Sequence, residues 1–218
     1  MSCKSFTFYL TGALLALLAG CEGFNPVADT AVHFIQRGSS VSVGGFAPGF
    51  EYLEVEWQGR KSSLALGYRE VNGSTVVDHW YSGHGEMIKL VNGRIAQVLG
   101  MTSEIRSATE KAPEWSELMS HRLPIVWVQS KDTMPAYRYG VKEYVISQQV
   151  SATRVEASTA ALASHWFLEE VKSKDATGKT WIYQQKFAVA NNVVVYSEQC
   201  VAPDMCFKLK PLGVVVSR

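Results

Sequence analysis

The chain has 218 residues, 47% of them hydrophobic, with 21 Lys and Arg against 20 Asp and Glu for a net charge of +1. That balance, spread without any block of like charges, excludes a nucleic-acid binder, whose phosphates demand clustered Lys and Arg. It also argues against a block of basic residues made for a membrane surface, while the length suits one domain with a core of its own.

In chain order, residues 1–20 read as a secretory leader. Lys4 is their only charge, and an apolar stretch runs from Phe6 to Leu18. This is shorter than the roughly 20 apolar residues that span a bilayer. Leu18-Ala19-Gly20-Cys21 closes the stretch and is similar to the lipobox of bacterial lipoprotein precursors. The expectation is export, cleavage before Cys21 and acylation of that cysteine. One fatty chain binds a membrane only marginally, at about 0.8 kcal/mol per buried methylene, so the several chains of such an anchor are what hold it.

Residues 21–50 read as a tether and leading segment. Gly23, Asn25 and Pro26 break structure, whereas Val27, Ala31 and Phe34-Ile35 recur at helical spacing and predict a short helix. Gly38 to Gly49 reads as a loop with a short strand at Val41–Val43.

Residues 51–218 read as a single antiparallel β domain. Tyr52, Leu53, Val55 and Trp57 open it, followed by Leu64, Leu66 and Tyr68 and by Thr75–Trp80 after the turn signal Asn72-Gly73-Ser74. Glu86–Val91 and Arg94–Leu99 flank Asn92-Gly93, the strongest hairpin signal present. Strands are expected at Ile125–Gln129, Lys142–Gln149, Ala152–Ala157, Trp166–Lys172 and Phe207–Leu209. Thr180–Ala190 and Val193–Gln199 form a second hairpin about Asn191-Asn192, since Asn tolerates positive φ. Helix is confined to Glu114–His121, after Pro113, and to the Ala-rich Ser158–Ser164. Strand following strand excludes a parallel α/β sheet. The fold class is mainly β: an antiparallel meander forming a curved sheet, sandwich or partial barrel with one or two short helices.

Of four cysteines, Cys3 leaves with the leader and Cys21 is acylated, leaving Cys200 and Cys206 about the turn residues Pro203-Asp204. In an oxidising compartment such a pair most often forms a disulfide. The alternatives are free thiols or half of a metal site, although no second Cys pair supplies zinc ligands.

Trp57, Trp80, Trp166 and Trp181 interleave the strands. They read either as core or as a sugar-stacking platform on one sheet face, and aromatic residues on strands favour core. His79, His84 and Glu86 are the best candidate metal cluster, without any recognised ligand spacing, so no metal and no cofactor is assigned. Glu169 and Glu170 are adjacent on a strand and point to opposite faces, so they cannot act as a glycosidase pair. Lys131, Asp132 and Arg138 read as solvated loop charges. No nucleophile elbow, phosphate loop or dinucleotide fingerprint is present, and no catalytic residue is assigned.

The stretch from Trp80-Tyr81-Ser82-Gly83-His84-Gly85 through Asn92-Gly93-Arg94-Ile95 to Gly100-Met101 resembles the YjbF/GfcB lipoproteins. So does Tyr196-Ser197-Glu198-Gln199 followed by Ala202-Pro203 and Lys208-Leu209-Lys210-Pro211. Asn191-Asn192 departs from the Asp or Thr-Gly turns of that family, and the Cys200/Cys206 pair is no part of its pattern. The resemblance implies an outer-membrane lipoprotein that assists secretion or assembly of exopolysaccharide or group 4 capsule. It would be lipid-anchored, face the periplasm and act through polysaccharide-export proteins. Glu22 stands where an Asp would favour inner-membrane retention. The alternative is a periplasmic glycan- or lipid-binding module using an aromatic-rich sheet face.

Overall fold

Among the described residues, twelve strands follow one another around a single closed, antiparallel meander. The computed structural model describes residues 46–109, 112–135, 137–151, 165–174, 178–202 and 205–214. The leader, Cys21 and most of the tether, with its expected helix and strand, lie outside the described residues, as do Ala152–Ala157, Ser158–Ser164 and Pro203-Asp204. The strands are β1 (Glu51–Trp57), β2 (Arg60–Asn72), β3 (Thr75–Tyr81), β4 (Met87–Val91), β5 (Arg94–Leu99) and β6 (Glu104–Ala108). A short helix, α1 (Trp115–Ser120), precedes β7 (Ile125–Met134), β8 (Arg138–Val150), β9 (His165–Lys174), β10 (Thr180–Ala190), β11 (Val193–Ala202) and β12 (Met205–Val214).

Each strand pairs with its sequence neighbours, and β12 returns to β1 in a register running from Glu51↔Val214 to Trp57↔Phe207. The curved sheet expected from sequence therefore closes on itself, which removes exposed strand edges. Turn chemistry makes the short connections. Asn92 and Gly93 take φ of 47° and 80°, and Asn191 and Asn192 take 52° and 63°, the doubly positive pattern whose twist suits a two-residue hairpin. β6 has no counterpart among the expected strands. β7 and β8 also run further toward each other than expected, so Lys131, Asp132 and Arg138 lie in strands rather than in a loop.

Alternation decides what fills the barrel. Leu53 and Val55 of β1, Leu64 of β2, Trp80 of β3, Ile88 and Leu90 of β4, and Phe207 and Leu209 of β12 join one apolar cluster. Toward the other side the filling comes from α1. Trp115 packs against Phe167 and Phe187, with ring centroids 5.3 and 5.0 Å away, and its indole N–H donates to the Asn92 carbonyl at 2.8 Å.

The tip of the β4–β5 hairpin is tucked toward β11. β5 pairs with β6 only through Gln97↔Arg106 and Val98↔Ile105, and a bulge interrupts its register with β4 near Ala96. The amide side chain of Gln199, on β11, supplies the missing ladder bonds. Its Oε1 accepts from the Ile95 N–H and its Nε2 donates to the Gly93 carbonyl, both at 2.8 Å. Only glycine fits at 93, because a Cβ there would lie 2.4 Å from Val194 Cγ2.

Candidate functional site

The barrel interior changes character on β7 to β11, where the inward positions carry polar and charged groups. On β7, Trp127, Gln129 and Lys131 point inward. Opposite them stand Glu143, Val145 and Ser147 on β8, then Glu169, Val171 and Ser173 on β9. Burying a charge is costly unless it is paired and hydrogen-bonded, and two ion pairs meet that condition here.

In the first, Lys131 Nζ pairs with Glu143 Oε1 and donates to the Val201 carbonyl at 2.8 Å. Glu143, fully buried, also accepts from Gln129 Nε2 at 2.7 Å and from the Tyr183 hydroxyl at 3.3 Å. Burial pushes the Lys131 ammonium below the ordinary lysine range, and the Glu143 charge pulls against that. Burial first, and then Glu143, raise the Tyr183 hydroxyl well above the usual tyrosine range, so it stays a proton donor.

In the second, the Arg94 guanidinium donates to Glu169 Oε1 from Nε at 3.1 Å and from Nη2 at 2.8 Å. The same oxygen accepts from the Ser147 hydroxyl at 2.8 Å, and Ser147 accepts from the Trp127 indole at 2.9 Å. The guanidinium lies 3.8 Å from the centre of the Trp115 ring, a close cation–π contact. Trp127, Val145 and Val171 form an apolar layer among these groups.

Beside the pairs lies a cavity lined by Ser107, Thr109, Gln185 and Gln199 among others, with about 10 Å³ open to water centres. That is room for about one water. Both carboxylates are neutralised and held by several donors. Among the described residues, this cavity can order a water but is too small for a sugar.

Lys131 corrects the reading of it as a solvated loop charge. The signal was the i, i+2 series Trp127-Gln129-Lys131, masked because Val126 and Val128 make the opposite face look like the buried one. Asp132 and Arg138 are half-buried: Asp132 accepts from the Gly140 N–H at 2.7 Å, and Arg138 donates to the Lys174 carbonyl at 2.7 Å. Glu169 points inward while Glu170 does not.

The four tryptophans are not brought onto one exposed face. Trp80 belongs to the main apolar cluster, with half-buried Trp57 packed against it. Trp166 lies on the opposite face of its strand from Phe167, buried with Ala188 and Tyr196. Trp181 stacks on Tyr183 at 4.1 Å. His79 stacks on Tyr68 with Glu70 Oε1 3.4 Å from its Nε2, while His84 sits in the Ser82–Glu86 turn. Among the described residues no three His, Cys, Asp or Glu are grouped to hold a metal ion. Cys200 and Cys206 stand directly opposite one another on β11 and β12 as a disulfide, with Cα atoms 3.9 Å apart.

These contacts show what the motif residues do. Ser82 Oγ accepts the N–H groups of His84 and Glu86 and its hydroxyl bonds the Glu86 carboxylate, which pins the Gly-flanked turn. Arg94 holds Glu169, while Gln199, braced by Ser197 Oγ at 2.8 Å, holds β5. Two stretches over a hundred residues apart in sequence thus meet at one place in the barrel. A family described as group 4 capsule polysaccharide lipoprotein GfcB, YjbF matches residues 50–209, which include all of them. The chain belongs to the YjbF family. No curated protein matches it. Among solved structures it is similar to the hypothetical lipoprotein YmcC from Escherichia coli K12, at 13% identity and a TM-score of 0.62, covering 78% of this chain and 90% of that one. At that identity the likeness is one of fold. The YjbF family is one of capsule polysaccharide lipoproteins, and in this member Ser82, Arg94 and Gln199 brace the barrel.

Proposed function

We propose that this YjbF-family protein is a lipid-anchored accessory of exopolysaccharide or capsule secretion. It is held in the outer membrane by acyl chains on Cys21, with its barrel in the periplasm, and acts through proteins of the export machinery. The observation that carries this reading is the family match over residues 50–209, joined to the Leu18-Ala19-Gly20-Cys21 lipobox ahead of it. The small size of the cavity beside the buried ion pairs supports a role through the outer surface rather than through a sugar bound there, because a monosaccharide needs far more than the volume of one water. Burial of Trp80 and Trp166 leaves only the half-buried Trp57 and Trp181 of the four tryptophans for a stacking surface, which weighs against the glycan-binding alternative. The anchor follows the lipobox, and Glu22 in place of an aspartate favours passage to the outer membrane.

The test is deletion of the gene with measurement of surface polysaccharide, followed by complementation with the wild type and with Cys21→Ser. Polymer should fall in the deletion strain, return with the wild type and fail to return with the unlipidated variant. Unchanged polymer in the deletion strain refutes the role. Full rescue by Cys21→Ser refutes the need for the anchor.

A further inference from the structure

The outer face of β7 and β8 breaks the usual rule for a barrel in water. Val126 pairs across the strands with Ile146, and Val128 with Tyr144. All four point outward, because Trp127 and Val145 between them are buried inside. They are 65%, 38%, 38% and 53% exposed for Val126, Val128, Ile146 and Tyr144. Ile182 extends the row from β10, with Lys172 between it and Tyr144. Together these side chains leave on the order of 400 Å² of mainly apolar surface in water, in the range where a patch on a monomer usually has a use.

The charge around it is one-sided. Lys142, Lys172 and Lys174 are exposed beside the patch and make no ion pair among the described residues, against Glu170 and, one row beyond Lys142, the half-buried Asp132, which is bonded to the Gly140 N–H. The opposite wall differs: β1, β2 and β12 carry Lys61–Glu54, Lys208–Glu56 and Arg69–Glu51 pairs. A second copy of the chain is a poor occupant. Face-to-face pairing would bring lysines against lysines, and about 400 Å² is half of what each side of a stable dimer buries. Aliphatic side chains with a tyrosine, ringed by unpaired lysines, match instead the boundary of a bilayer, where tyrosine and lysine sit at the headgroups.

We propose that the β7–β8 face is a membrane-contact surface that lays the barrel against an anionic phospholipid bilayer. It rests on the acylation of Cys21 proposed above, since a fatty anchor supplies the first hold and this face a second.

The experiment uses the full lipidated protein reconstituted into vesicles of phosphatidylethanolamine and phosphatidylglycerol. An environment-sensitive fluorophore is placed on Val128→Cys or Ile146→Cys, and on Lys61→Cys of the opposite wall as reference. Expected is a blue shift and a several-fold gain in emission at 128 and 146 on vesicle insertion, with the 61 label unchanged. Equal emission at all three positions, with the protein still floating with vesicles, overturns the contact face alone. Protein that does not float with vesicles overturns the anchor and with it this proposal. A gain at 128 and 146 without vesicles, at twice the monomer mass, assigns the face to a second copy and overturns the proposal too.

Discussion

Replacing Lys131 by methionine tests the buried network most directly. Methionine keeps the length of the stem and removes the charge, leaving the Glu143 carboxylate at 0% exposure with Gln129 and Tyr183 as its remaining donors. Breaking a buried pair by removing one partner typically costs 3–5 kcal/mol. With two donors retained, the lower end applies, about 3 kcal/mol, or roughly 6–12 °C in melting temperature for a domain of this size. Urea unfolding at neutral pH, followed by tryptophan fluorescence, measures it. The double variant Lys131→Met/Glu143→Gln removes the orphaned charge while keeping an acceptor for Gln129, and should recover about 2 kcal/mol of the loss. A cost under about 0.5 kcal/mol, with no coupling to Glu143, would mean the pair is effectively solvated and the packing argument wrong.

Gly93→Ala should destabilise by roughly 2–4 kcal/mol through left-handed strain and overpacking, with part of the loss restored in Gly93→Ala/Val194→Ala, read from thermal melts. Cys200→Ser/Cys206→Ser should cost about 2 kcal/mol, since closing so short a loop removes little chain entropy. The same loss should follow reduction of the wild type, and no change on reduction would mean the thiols are free. His79 carries a pKa held below its ordinary value, first by burial and then by Lys89. The unfolded chain therefore takes up its proton near pH 6.5 while the folded chain resists, and stability should decline as pH falls below about 6.5, by at most about 1.4 kcal/mol per pH unit. His79→Gln should flatten that part of the profile, and an unchanged slope would remove His79 as its source.

What the sequence determined by itself is local. Asn92-Gly93 and Asn191-Asn192 dictate two-residue hairpins because their backbones accept positive φ, and the strands either side follow from alternation. The short helix Trp115–Ser120 falls inside the stretch that Pro113 marks, with Glu114 as its N-cap. Adjacency alone put Glu169 and Glu170 on opposite faces. Spacing and order of small motifs were enough to point to the family. The tertiary structure decided everything that depends on distant strands meeting. Closure by β12 on β1 is a pairing between the two ends of the domain, and no local pattern specifies it. The side of β7 that faces inward was equally undetermined, since Ile125-Val126-Trp127-Val128 is apolar on both faces and the choice falls to Glu143 across the ladder and Val201 beyond it. The partnership of Arg94 with Glu169, and of Gln199 with the edge of β5, exists only because the barrel brings those strands within hydrogen-bonding reach. A lysine and an arginine that look like surface charges in the chain are buried because their counterions, too, arrive from other strands.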